Sequence, residues 1–167
     1  MENNIVDTVV SVRRVTKVTK GGKRFTFSAF VVSGDKHGKI GFGLGKSREV
    51  SSAIAKATAR ARKKMINVNL RGSTIPFPVI GKHGSSKVIL RSASKGTGVI
   101  AGGPVRAIVE AVGVRDILAK SLGSANQQNV AKATLNALAK LRSASQIAKL
   151  RGKTLEQLLQ GSSNVSA

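Results

Sequence analysis

The chain of 167 residues carries 29 Lys and Arg against 7 Asp and Glu, a net charge of +22, and its 41% hydrophobic content is too high for a disordered polycation. Charge in such excess repels itself until phosphates or counterions compensate it, so a polyanionic partner is expected. Without Cys and without a run of about 18 apolar residues, the sequence excludes disulfides, Cys-based zinc sites, thiol catalysis and a helical membrane span.

The opening residues Met1, Glu2 and Asp7 show no signal-peptide pattern, so an intracellular protein is expected. Three strands are predicted at about 5–19, 24–33 and 38–45, separated by the turn segments Lys20-Gly21-Gly22-Lys23 and Gly34-Asp35-Lys36-His37-Gly38. In the second strand Phe25, Phe27, Ala29 and Val31 share one face and Thr26, Ser28, Phe30 and Val32 the other. Neither face is wholly polar, which points to cover on both. The third strand alternates Ile40, Phe42 and Leu44 with Gly41, Gly43 and Gly45, leaving a face without side chains that something must approach closely.

A helix is predicted over about 47–65, with Val50, Ile54, Ala57, Ala61 and Met65 as the stripe that packs on the sheet. Lys56, Arg60 and Lys63 are expected on the opposite side, flanked by Arg62 and Lys64, with Lys46 and Arg48 at the helix start. Ordinary surface helices mix charge signs, whereas this one has Glu49 as its single acid, so a phosphate-facing surface is the better reading than a merely solvated one. Near Arg71 and Gly72 the composition shifts, and the domain boundary is placed there: 1–70, then 71–148, then a partly mobile tail over 149–167.

The second pattern begins with strands at about 74–80 and 86–91 around a Gly81-Lys82-His83-Gly84 turn, with Pro76 and Pro78 confining the first to an edge. The run Gly96-Thr97-Gly98-Val99-Ile100-Ala101-Gly102-Gly103-Pro104 precedes a helix with the stripe Val105, Ile108, Val109 and Val112; Pro104 suits its first turn and Gly113 its end. A further strand is expected at about 114–122, then a helix capped by Asn126 and running to about Leu141, carrying Val130, Thr134 and Leu138. The last segment offers one short helical pattern (Leu155, Leu158, Leu159) before a Ser-rich end.

Two glycine motifs test for catalysis. Gly41-Phe42-Gly43-Leu44-Gly45-Lys46-Ser47 lies where a P-loop would, but Ile40 stands where that loop requires Gly, and no later acid follows a strand as a Mg²⁺ partner. Gly96-Thr97-Gly98-Val99-Ile100-Ala101 satisfies a dinucleotide pattern with only Asp116 available as the distant acid; a tight turn and helix start is the simpler reading. The seven acids are isolated in sequence, and His37 and His83 do not make a metal set, so neither an enzyme nor a metal or other cofactor is expected. A small phosphotransferase and a DNA-associated architectural protein are the alternatives from other classes. Phe is the only aromatic type, at five positions, which disfavours stacking of unpaired bases and favours recognition of RNA backbone and shape.

The run from Gly22-Lys23-Arg24-Phe25-Thr26-Phe27 through Ser33-Gly34-Asp35, then Gly38-Lys39-Ile40-Gly41-Phe42-Gly43-Leu44-Gly45-Lys46-Ser47-Arg48-Glu49-Val50, closely resembles small-subunit ribosomal protein five of the bacterial type. The resemblance continues through Met65-Ile66-Asn67-Val68, residues 96–103, Gly123-Ser124 and Asn129-Val130, covering about 5–160. It implies an α+β fold of two small domains: a double-stranded-RNA-binding-like module of three antiparallel strands with one packed helix, and a β-sheet with two helices and a left-handed βαβ crossover. It also implies a structural constituent of the small ribosomal subunit that binds 16S rRNA. Implied too are contacts with small-subunit proteins four and eight, a position near the messenger-RNA entry path, and roles in subunit assembly and decoding accuracy. Neither a membrane nor a small-molecule substrate belongs to that picture.

The residues expected to meet rRNA fall in groups. They are Arg13, Arg14 and Lys17 in the first strand, and Lys20, Gly21, Gly22, Lys23 and Arg24 at the turn matching the family loop associated with spectinomycin resistance. Lys39, Gly43, Gly45, Lys46 and Arg48 follow in and after the third strand, with Lys56, Arg60, Lys63 and Lys64 on the helix and Lys82, His83 and Lys87 in the second domain. Gly98 and Arg106 match the family segment facing protein four and are expected at a protein interface. The short N-terminal arm and polar Ser-rich end depart from many relatives.

Overall fold

A computed structural model describes residues 5–159; residues 1–4 and the Ser-rich 160–167 end lie outside the described residues. Strands β1 (Val6–Thr19) and β2 (Gly22–Gly34) form a long antiparallel hairpin that closes on the Thr19 and Gly22 pair. Gly22 takes a φ of 124°, open to glycine at little cost. β3 (Lys39–Ser47) pairs antiparallel with β2, from Phe27 opposite Ser47 to Gly34 opposite Ile40. A two-residue strand, β4 (Ile66–Asn67), joins the beginning of β3, so the sheet has four strands in the order β1-β2-β3-β4 where three were expected. The cause is local: the chain leaving the helix returns alongside Lys39 and Ile40.

Helix α1 (Val50–Lys63) covers one face of this sheet. It begins three residues later than predicted because β3 persists through Ser47, and Glu49 holds the extended N-cap position. Its buried stripe is Ala53, Ala57 and Ala61, while Val50 is exposed. Small residues face bare backbone here. A Cβ added to Gly41, Gly43 or Gly45 would lie 2.1, 2.0 and 2.0 Å from the carbonyl oxygens of Ala61, Ala57 and Ala53. The glycine face is therefore filled by the helix, and the expectation that Gly43 and Gly45 meet RNA is corrected: both are buried beneath α1.

The second unit holds β5 (Val79–His83), β6 (Ser86–Ser92), β7 (Val99–Ile100), α2 (Gly103–Val112), β8 (Ile117–Gly123) and α3 (Gln127–Leu138). Its sheet runs β5-β6-β8-β7; β7 and β8 are parallel with α2 between them in sequence, as a βαβ unit requires. Gly81 to His83 belong to β5, so the hairpin turns at Gly84 and Ser85 and not over 81–84. The α2 stripe Val105, Ile108, Val109 and Val112 is buried, each side chain contributing at most roughly 1.5–3 kcal/mol. Gly113 ends the helix in the left-handed region (φ 101°), donating its amide to the Val109 and Glu110 carbonyls. The Asn126 side chain accepts the Gln128 amide at 3.1 Å and starts α3.

Two short helices follow, α4 (Ala144–Arg151) and α5 (Leu155–Leu159). α5 matches the expected Leu pattern, whereas α4 was not predicted and runs across the expected boundary between the second domain and the tail at 148/149. Its signal was the capping box of Ser143 and Gln146, whose side chains each bond the other's backbone amide.

The two units share one core. Phe30, Val32 and Ile40 on the sheet face away from α1 join Ile108, Val112, Val130 and Leu138 in one buried cluster. The 35–38 turn locks the joint: the Lys36 and Gly38 amides donate to the Ala111 and Val112 carbonyls at 3.0 Å each, satisfying the end of α2. A Cβ on Gly34 would meet the Ala111 oxygen at 2.2 Å, which shows how close the backbones run. Both faces of β2 from Ala29 to Gly34 are thus covered, one by α1 and one by the second unit.

Candidate nucleic-acid interface

Beyond α1 the β1–β2 hairpin continues as a ribbon whose residues 12–18 and 20–25 are exposed. The pairing of Lys17 with Arg24 and Arg13 with Ser28 puts Arg13, Lys17 and Arg24 on one face; Arg14 and Lys23 lie on the other. Lys20 and Gly21 form the tip, with the Thr19 hydroxyl donating to the Gly22 carbonyl at 3.0 Å. Arg14 stacks over Phe25 at 4.7 Å, which shields that half-exposed ring and holds the guanidinium out along the ribbon. From residue 8 to residue 34 there is no acid, so the ribbon's cations have no internal counter-charge within it.

The α1 cations divide between two flanks, where Lys56, Arg60 and Lys63 were expected opposite the buried stripe with Arg62 and Lys64 flanking them. At about 100° per residue, Lys56, Arg60 and Lys63 fall on one flank beside the buried stripe. Arg60 reaches the open edge of β3, its Nη1 donating to the Leu44 carbonyl at 2.7 Å. Arg62 turns the other way and pairs with Asp7 on β1, whose carboxylate also accepts the Ser33 hydroxyl at 2.6 Å. Burial pushes the Asp7 carboxyl up, but the Arg62 and Ser33 hydrogen bonds and the Arg62 charge outweigh it and hold it below its ordinary value. Arg62 is therefore committed to the fold. At the other end of the helix, Lys46, Arg48 and Lys56 line an open groove of about 490 Å³ with Thr26, Ser47, Glu49 and Ser52. Lys64 is exposed at the C-cap, while Lys39 sits at the far end of β3 beside Asp35, apart from this groove. The sequence Gly41 to Ser47 is continuous strand, so no phosphate-cradling loop exists there.

In the second unit Lys82 stands opposite Lys87 across the hairpin, a like-charge pair that an anion would relieve. With Lys140 they line a groove of about 610 Å³. Lys140 Nζ donates to the Ile80 carbonyl at 3.0 Å and Asn136 to the Lys82 carbonyl at 3.0 Å, covering the free edge of β5. His83 alternates to the other face of the strand, away from Lys82 and Lys87.

The 94–98 turn settles the dinucleotide motif. Its amides are occupied: Asp116 Oδ1 accepts from Gly96 at 2.9 Å and Gly98 at 3.1 Å. The acid that a nucleotide site would aim at a ribose instead fills the place of a phosphate. The Ser73 hydroxyl and the Gly98 amide hold the Asp116 carboxyl below its ordinary range, burial opposes them, and the Gly96 amide adds to the lowering. Arg106 lies nearby, its Nη2 donating to the Val99 carbonyl at 2.9 Å and its Nε pairing with Glu110 at 3.2 Å.

Residues 5–69 match "Ribosomal protein S5, N-terminal domain" and residues 81–151 match "Ribosomal protein S5, C-terminal domain". The chain belongs to the ribosomal protein S5 family. Proteins named "Small ribosomal subunit protein uS5" from Lawsonia intracellularis and Flavobacterium psychrophilum are 52% and 53% identical over 155 residues, 93% of this chain and 95% and 89% of theirs. The protein of that name from Nitrosococcus oceani is 50% identical over 159 residues, covering 95% of this chain and 94% of its own. A member of this family is a ribosomal protein and not an enzyme.

Arg62, Asp7, Asp116, Asn136 and Lys140 carry no local sequence signal for the structural parts they play. Their partners lie 18 to 60 residues away along the chain, beyond any local pattern.

Proposed function

We propose that the chain is a structural constituent of the small ribosomal subunit in the cytoplasm, binding 16S rRNA through backbone phosphates and RNA shape. What carries this reading is the exposed, acid-free β1–β2 ribbon beside the cationic groove at the start of α1, within a chain of net charge +22. Clustered exposed cations release counterions from a phosphate backbone and supply affinity without base readout. The ribbon and the Lys46, Arg48 and Lys56 groove are the primary contacts. Lys82 and Lys87 form a second, and the Gly98 and Arg106 segment faces protein four. Contact with protein eight, a position along the messenger-RNA entry path, and support of subunit assembly and decoding accuracy belong to the same proposal.

The test has two parts. The tagged chain, sedimented from lysate with small-subunit fractions washed at moderately high salt, should remain near stoichiometric; loss from those fractions overturns the reading. Replacing Lys56, Arg60 and Lys63 with Ala should then weaken binding to a folded 16S rRNA fragment and flatten its salt dependence by about 0.7–0.9 for each phosphate no longer neutralised. Circular dichroism must accompany it, because Arg60 also holds the β3 edge.

A further inference from the structure

We propose that Asp116 is a positioning residue for the Gly98 and Arg106 surface, acting from beneath it through the 94–98 turn. The inference rests on the reading that this segment faces a protein partner. Asp116 is 4% exposed, and among the described residues it has no ion-pair partner, although the chain carries 29 Lys and Arg. A buried carboxylate in so cationic a protein would find a guanidinium readily; this one is given to backbone amides and the Ser73 hydroxyl instead. One oxygen takes both Gly96 and Gly98, and the next residue, Ile117, donates its amide to the Gly98 carbonyl at 3.1 Å. Gly98 is thus held at its amide and at its carbonyl by consecutive residues of the chain.

Steric crowding does not account for the glycines. Gly96 (φ 93°) and Gly98 (φ 78°) have open space where a Cβ would stand, so their left-handed backbone and not a close neighbour at that position calls for glycine. The bonds among Ser94 and Thr97 close the turn locally, but they leave Gly98 free to swing. From Gly98 the restraint passes to Val99, whose strand pairs with Ile117 and whose carbonyl seats the Arg106 guanidinium. Loss of the carboxylate therefore loosens the turn and the seat of Arg106 together.

The experiment uses the full chain with Asp116→Ala, Asp116→Asn and Arg106→Ala, reading amide hydrogen exchange at Gly96 and Gly98 and affinity for purified small-subunit protein four. Asp116→Ala should speed exchange at both glycines by on the order of tenfold or more, as expected when a charge-assisted hydrogen bond is removed, and weaken binding. Asp116→Asn keeps a neutral acceptor and should recover part of both; it also carries the test should the alanine variant not fold. Unchanged exchange in both Asp116 variants overturns the inference. Faster exchange with unaltered affinity, while Arg106→Ala binds weakly, overturns the positioning role. An Arg106→Ala variant with wild-type affinity shows that the surface itself was misread, and the inference falls with it.

Discussion

In the glycine run of β3, a methyl group on Gly41, Gly43 or Gly45 would sit within 2.1 Å of a carbonyl oxygen of α1, whereas a methyl group on Gly96 or Gly98 would meet nothing within 4 Å. Both runs are glycine every second residue in front of a helix. In β3 the reason is proximity, since helix and strand backbones touch and side chains have no room. In the 94–98 turn the reason is torsion, since space is ample but φ is positive. Neither run cradles a phosphate. A glycine motif thus names a constraint on the backbone without saying whether a ligand, a helix or a dihedral angle imposes it.

The largest test of this contrast is Gly43→Ala. The added methyl must push α1 off the sheet, and urea unfolding should register a loss of about 3 kcal/mol, the upper end for overpacking a tight site. Gly98→Ala should cost less, about 1–2 kcal/mol from the left-handed backbone alone, and Gly98→Asn less still because Asn tolerates that region. Equal losses at Gly43 and Gly98 would break the distinction between proximity and torsion.

The exposed ribbon supplies the opposite extreme. Replacing Lys20, Lys23 and Arg24 with Ala should leave stability within about 0.5 kcal/mol. The slope of log affinity against log salt for folded rRNA should nevertheless fall by about 0.7–0.9 for each phosphate released. A stability loss as large as that of Gly43→Ala would mean that the ribbon is part of the core.

The smallest effect concerns the two tethered acids, Asp7 held chiefly through a side-chain guanidinium and Asp116 through amides and a hydroxyl. Both folded-state pKa values lie below the ordinary one, so their contribution is present above about pH 4 and is lost as pH falls through the folded values. Unfolding midpoints should be flat between about pH 5 and 7 and decline below about 4. Asp7→Asn should remove part of the decline; an unaltered profile in that variant would show that the Arg62 pair contributes nothing.

Periodicity and punctuation were enough to place most elements. Alternating Phe25, Phe27, Ala29 and Val31, the stripe Val105, Ile108, Val109 and Val112, Pro104 with Gly113, and the Asn126 cap all report on neighbours within a few residues, where local sterics and hydrogen bonding decide. The long resemblance to small-subunit ribosomal protein five drew on the same residues and agrees with the family to which the chain belongs. Charge pattern marked the ribbon and the start of α1 as cationic because +22 is a property of composition.

Only the tertiary structure decided which cations are free and what fills the glycine faces. Arg62 and Arg60 read alike in the helix, yet one is tied to Asp7, 55 residues away, and the other to the edge of β3. Gly43 and Gly45 could have met RNA until α1 was laid on them. The Lys36 and Gly38 latch onto α2, and the Asp116 carboxylate inside the 94–98 turn, pair groups with no local signal. Such pairings are settled by packing one shared core, where long-range burial outweighs the local preferences that a sequence displays.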